Sequence, residues 1–309
     1  LTLLATSLFT AAALWACAAG DGNEDEDGGT NPDTGASTFT LAASVDNRGQ
    51  ALVSFSLPAN TTKFSVTAEV PTANGVRFTD LSDEDGTDFL GGSREEISLS
   101  TAELPYLNSA NAPSRDSDPT VDASRRFTAT AIASGVRDGQ TMTFTVNAKS
   151  DTNFASGRMH VNIFYVGDVG QDATTRSAIQ SAIQGFRDIF RNSANITLDV
   201  TEIDVDGPIL LPLPIDGSPF YLSATRGAFS PAVNVFVGGD LEGSDGDLLG
   251  IAGGIPGPAN PSPRSGVSVS ITTGAGPDGR YSDEDLRILG ETLAHESGHF
   301  MGLFHPVDF

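Results

Sequence analysis

The chain has 309 residues, a formal net charge of -23 and 39% hydrophobic residues. That apolar content is enough for packed cores, and the length predicts about two domains. Forty acidic residues stand against seventeen basic ones, only two of them lysines, Lys63 and Lys149. This balance excludes a nucleic-acid partner, because phosphate binding needs Lys and Arg.

Residues 1–16, LTLLATSLFTAAALWA, carry no charge and end in small residues just before Cys17, the one cysteine of the chain. A single cysteine allows no intramolecular disulfide. The stretch reads as the apolar core and cleavage region of a secretory signal, with a short buried or membrane-spanning helix as the competing reading. LWAC, Leu14 to Cys17, resembles the lipobox of bacterial lipoproteins. The resemblance implies that 1–17 is a lipoprotein signal peptide, that Cys17 is lipidated, and that the protein is anchored to a membrane of the bacterial cell envelope. Residues 18–37 hold a run of acids and almost no apolar side chain. Such a segment buries too little surface to offset its ordering entropy, and it is expected to be a disordered acidic tether.

Residues 38–150 change to a period of two. Val53, Phe55 and Leu57 alternate with polar or small residues, as do Phe64, Val66, Ala68 and Val70. Phe127, Ala129 and Ala131 do the same, followed by Met142, Phe144 and Val146. Short Thr-, Val- and Phe-rich runs separated by Gly, Asn, Asp or Pro predict an all-β sandwich. Within it SDEDGTD, Ser82 to Asp88, could hold a structural calcium ion. It lacks the full loop spacing with a closing bidentate Glu, so a solvated turn is the plainer expectation.

Residues 158–309 change again. HVNIFYV, His160 to Val166, predicts a strand, and 173–194 predicts an amphipathic helix striped by Ile179, Ile183, Phe186 and Phe190 and capped by Asp172. Strands are expected at Ile196 to Val205 and Ala232 to Gly238. The segment 238–266 is rich in Gly and Pro and long for a loop in a compact domain. Gly266 to Ile271 alternates and predicts an edge strand. Ser282 to Phe300 predicts a helix, with Ser282 and Asp285 close to a capping box.

Three of the four histidines lie at the end, in HESGHFMGLFH. His295 and His299 are four apart, so they share one helix face and can reach one metal ion. Glu296 can reach a water held there. Gly302 suits the chain reversal that ends a helix, after which His305 can return as a third ligand. Three neutral imidazoles leave one position open, as in a catalytic zinc site. Ser297 lacks the surrounding GxSxG of a serine hydrolase. His160 is expected to be an ordinary core or surface histidine.

His295, Glu296, His299, Gly302 and His305 together match HExxHxxGxxH, and the chain resembles the metzincin zinc metallopeptidases. With Gly250 to Pro258, GIAGGIPGP, the motif looks most like the pappalysin-like bacterial group, while Pro306 is similar to the serralysins. The resemblance covers 158–309 and implies an α/β zincin-like catalytic domain after the β-sandwich. It implies a zinc endopeptidase acting on protein or peptide substrates, with Glu296 as general base. It also implies that an edge strand, here 266–271, holds the substrate by strand addition. No methionine turn follows His305 within the residues given, so the domain is expected to be truncated at its C-terminus and the sequence at both ends. The competing class is a surface-anchored, non-catalytic binding lipoprotein whose β-sandwich is the working part.

Overall fold

The computed structural model describes residues 36–90, 100–114, 118–150, 156–243, 248–272 and 280–303. Cys17 and His305 therefore lie outside the described residues, as do the signal stretch and residues 18–35 of the expected tether; its last two residues, Ala36 and Ser37, are instead paired in the first strand with Lys149 and Ala148. The described chain forms two compact units, one from residues 36–150 and one from 156–253 with 257–303.

The first unit contains seven strands: β1 (Ala36–Ser44), β2 (Gln50–Ser56), β3 (Lys63–Glu69), β4 (Gly75–Asp83), β5 (Leu107–Ala112), β6 (Arg126–Ser134) and β7 (Thr141–Lys149). They make two antiparallel sheets, ordered β1-β7-β3-β5 and β2-β6-β4. The alternation in the sequence is the cause. In β2, Val53 and Phe55 are buried while Leu52 and Ser54 between and beside them are exposed. The buried faces of both sheets share one core, in which Phe64 meets Phe127 edge-on at 5.0 Å and Phe55 at 5.9 Å. Burying apolar side chains on one face while the other stays wet is what a period of two achieves.

The acidic stretch at 82–88 is a closed turn. Asp83 Oδ1 accepts the backbone N–H of Asp85 at 3.1 Å and of Thr87 at 2.8 Å. Its Oδ2 pairs with Arg125 at 2.7 Å, and Arg125 also reaches Asp85 at 3.1 Å and Asp122 at 3.2 Å. The guanidinium already supplies the positive charge that a calcium ion would bring. The calcium expectation at Ser82 to Asp88 is therefore withdrawn.

The second unit begins with β8 (Gly157–Val166), α1 (Ala173–Ala194), β9 (Ile196–Val205), α2 (Pro219–Thr225) and β10 (Val233–Gly238). It continues with β11 (Gly250–Ala252), β12 (Val267–Ser270) and α3 (Asp283–Phe300). The sheet order is β11-β12-β10-β8-β9, parallel except that β11 runs antiparallel to β12. Both faces are covered. Val161, Ile163 and Tyr165 of β8 join a core with Ile179, Ile183, Phe186 and Phe190 of α1 and Leu289 and Leu293 of α3. Phe164 and Val166 point to the opposite face, with Tyr221 and Phe236. Burial on two faces explains why β8 and β10 read as continuous apolar runs.

The strand at 267–270 is not an edge strand, contrary to the expectation for 266–271. It lies between β10 and β11, and the outer strand is β11, inside the Gly- and Pro-rich segment. The serines of β12 mimic a half-solvated pattern, yet Ser268 and Ser270 are fully buried. Ser268 is satisfied by a 2.8 Å hydrogen bond with the Tyr221 hydroxyl, which makes its burial tolerable.

Candidate active site

The site is built on the last two turns of α3. Ser282 caps the helix start: its hydroxyl accepts the N–H of Asp285, while the Asp285 carboxylate accepts the N–H of Ser282, a reciprocal capping box. Asp283, Glu284 and Asp285 place negative charge on the positive end of the helix dipole. At the other end the helix is closed off by Met301 and by Gly302, whose φ of 101° is a conformation that favours glycine. The Gly302 N–H donates to the His299 carbonyl at 2.8 Å and the Leu303 N–H to the Gly298 carbonyl at 3.0 Å. Together these form a Schellman motif.

That stop fixes one of the histidines. It turns the Leu303 carbonyl back onto the ring of His299, whose Nδ1 lies 2.6 Å from it. A carbonyl can only accept, so Nδ1 carries the proton and Nε2 of the neutral ring presents a lone pair. His295 Nε2 stands 3.0 Å from His299 Nε2, with the rings crossed at 82°. In the metal-free pair, His295 Nε2–H then donates to His299 Nε2. His299 is buried, whereas the His295 side chain is 46% exposed and faces solvent.

Glu296 sits one position on, with Oε1 4.0 Å from His295 Nε2 and a side chain only 12% exposed. Burial pushes its pKa up to about 7, opposed by a hydrogen bond from the Ala252 backbone N–H. The carboxylate thus lies between the histidine pair and the outer strand β11. Gly250 makes room for it, since a Cβ there would lie 2.7 Å from Glu296 Cγ.

Among the described residues, no group of three His, Cys, Asp or Glu side chains converges on one point. Two of the three expected ligands, His295 and His299, do meet. Two ligands at ~2.0–2.1 Å in a tetrahedron stand ~3.3 Å apart, so the pair needs to open by only a few tenths of an ångström to share a zinc ion. The Nδ1–H to carbonyl bond is the outer contact that fixes a metal-binding imidazole in the right tautomer. On donor type and spacing the pair fits the metal, and His299 fits it on tautomer as well; His295 would present its Nε2 lone pair once that nitrogen gave up its proton. The fourth histidine, His160, lies in β8, packed against Phe229 with ring centroids 4.0 Å apart and the rings tilted by 36°.

Three participants escape inspection of the motif: the Leu303 carbonyl, the Ala252 N–H and the strand that carries it. A signal existed for the first. Glycine three residues after His299, followed by an apolar residue, is the sequence mark of a Schellman stop. Short β11 offers no comparable mark.

No protein-family model and no curated protein matches the chain. Among solved structures it is similar to metalloproteinase-II from Bacteroides fragilis, at 16% identity and a TM-score of 0.33, over 51% of this chain and 51% of that one. It thus spans about half the length of that protein. It is also similar to a family two carbohydrate esterase from Cellvibrio japonicus, at 10% identity and a TM-score of 0.21, over 85% of this chain and 98% of that one. A third similarity is to the IMPa metallopeptidase, solved in complex with T-antigen, at 14% identity and a TM-score of 0.17, over 78% of this chain and 29% of that one. Two of the three are metallopeptidases, but overlaps this shallow do not define a common fold.

Proposed function

We propose that the protein is a zinc-dependent endopeptidase of the metzincin class, most like its pappalysin-like bacterial group, hydrolysing peptide bonds of proteins outside the cytoplasm. The observation that carries this is the His295–His299 pair: two imidazole nitrogens 3.0 Å apart on successive helical turns, one tautomer fixed by Leu303, beside a buried carboxylate. His295, His299 and His305 would hold the metal. Zinc bound there supplies Lewis-acid polarisation of the scissile carbonyl and makes a nearby water more acidic.

Glu296 is the proposed general base. Its carboxylate is largely buried beside the histidine pair, within reach of a water held there. It takes a proton from the attacking water on its carboxylate and returns it to the leaving amine. The outer strand β11, rather than 266–271, is the proposed docking edge, pairing with an extended substrate through backbone hydrogen bonds. Lipidation at Cys17, a tether over the acidic residues ahead of β1 and a place in the bacterial cell envelope belong to the same proposal and are supported by the sequence of that region.

The test is metal analysis of the full-length protein. One zinc per chain is expected. A stoichiometry that survives replacing both His295 and His299 by Ala would refute the site.

A further inference from the structure

Arg264 has the largest of the fully buried side chains among the described residues, at 1% exposure. Taking a guanidinium out of water costs several kcal/mol unless its donors are matched. Burial pulls its pKa down to about 9, with the charge of Asp216 opposing, so it stays cationic at neutral pH. Its Nη2 donates to the carbonyl of Gly253, the residue that follows β11. The Gly253 N–H donates to the Gly266 carbonyl at 2.9 Å. Both backbone polar groups of Gly253 are therefore engaged. The two backbones also touch: a Cβ on Gly253 would lie 2.1 Å from the Arg264 carbonyl oxygen.

The segment bearing Arg264 is itself tied to the middle of the sheet. Asn162 of β8 donates to Asn234 of β10 at 2.8 Å, and Asn234 donates to the Ser265 hydroxyl at 2.8 Å. The Pro263 carbonyl accepts the Ser218 N–H at 2.7 Å. The guanidinium thus stands on a fixed base. Beyond it β11 has only three residues, a short ladder that holds weakly alone. One residue before Gly253, the Ala252 N–H meets the Glu296 carboxylate.

We propose that Arg264 is a positioning residue: its buried guanidinium clamps the Gly253 carbonyl and so fixes the outer strand β11 against α3 and Glu296. The clamp is charge-assisted, which makes it stronger than a neutral hydrogen bond. The functional half of this inference rests on the peptidase reading, since a docking edge must be held in place to align a peptide. The structural half does not.

The experiment compares wild type, R264M and R264K in the full-length protein by amide hydrogen exchange. In R264M the amides of 250–253 should exchange faster by about tenfold or more, the effect of losing a hydrogen bond to a charged group. β8 and β10 should keep their protection, and R264K, which retains one charged donor, should fall between R264M and wild type. If R264M does not fold, the R264K increase confined to 250–253 carries the test. Unchanged exchange at 250–253 overturns the proposal. So does an equal rise in β8 and β10, which would make Arg264 a support of the whole unit. Exchange needs no catalysis, so it stands or falls apart from the peptidase reading. In an active enzyme, R264M should raise KM for a peptide more than it lowers kcat, at unchanged zinc content. A fall in kcat alone, with KM unchanged, would contradict the role in docking.

Discussion

At the scale of single residues, three side chains, His295, His299 and Glu296, and the Leu303 carbonyl make up the candidate site. The sequence made the histidine spacing legible, because i and i+4 positions on a helix must share a face. It did not reveal which ring nitrogen is free, because that depends on where the Leu303 carbonyl turns. Nor did it reveal the state of Glu296, since burial is a property of the packing around it. Burial raises that pKa from 4.5 to about 7, so the folded metal-free chain holds this proton more tightly than the unfolded chain does. Below pH 4.5 both states are protonated and the contribution is fully present. As the pH rises towards 7, ionisation favours the unfolded chain and stability is lost. Urea denaturation of the metal-free protein should show wild type losing stability relative to E296Q across this window. Parallel pH profiles for the two would show that burial does not raise the carboxylate.

At the scale of elements, the strongly periodic segments were legible. The stripe of Ile179, Ile183, Phe186 and Phe190 is the buried face of α1, and Asp172 caps it by accepting the Thr175 N–H at 2.6 Å. The sheet edge was not legible. Ser268 and Ser270 made an interior strand look half-solvated, and β11 has no periodicity to read because it is three residues held by partners far along the chain. Helix ends carry their own predictions. S282A removes the acceptor for the Asp285 N–H and should cost about 1 kcal/mol, measured by chemical denaturation. G302A forces a side chain into a φ of 101° and should cost about 1–3 kcal/mol. Because Gly302 also aims Leu303 at His299, G302A should weaken zinc binding, whereas S282A, at the far end of α3, should not. Equal zinc affinity in wild type and G302A, by competition with a chelator, would separate the helix stop from the metal site.

At the scale of the whole molecule, a formal charge of -23 favours a self-repelling surface. Among the described residues, no helix is long and apolar enough to cross a membrane. The proposed lipidation of Cys17 predicts that fractionation of cells finds wild type with the membrane and C17S released. Equal release of both would remove the anchor. Of the two units described, one all-β and one with helices on a mostly parallel sheet, the second holds His295, Glu296 and His299, the described residues of the candidate site. The most direct test of the central claim is hydrolysis of an unstructured protein such as casein by wild type and E296Q, with zinc measured in both. Gln keeps the size and hydrogen-bonding of Glu but cannot take up a proton near neutral pH. E296Q should retain its zinc and fold and lose activity by about 100- to 10,000-fold. Wild-type turnover in zinc-replete E296Q would contradict the account.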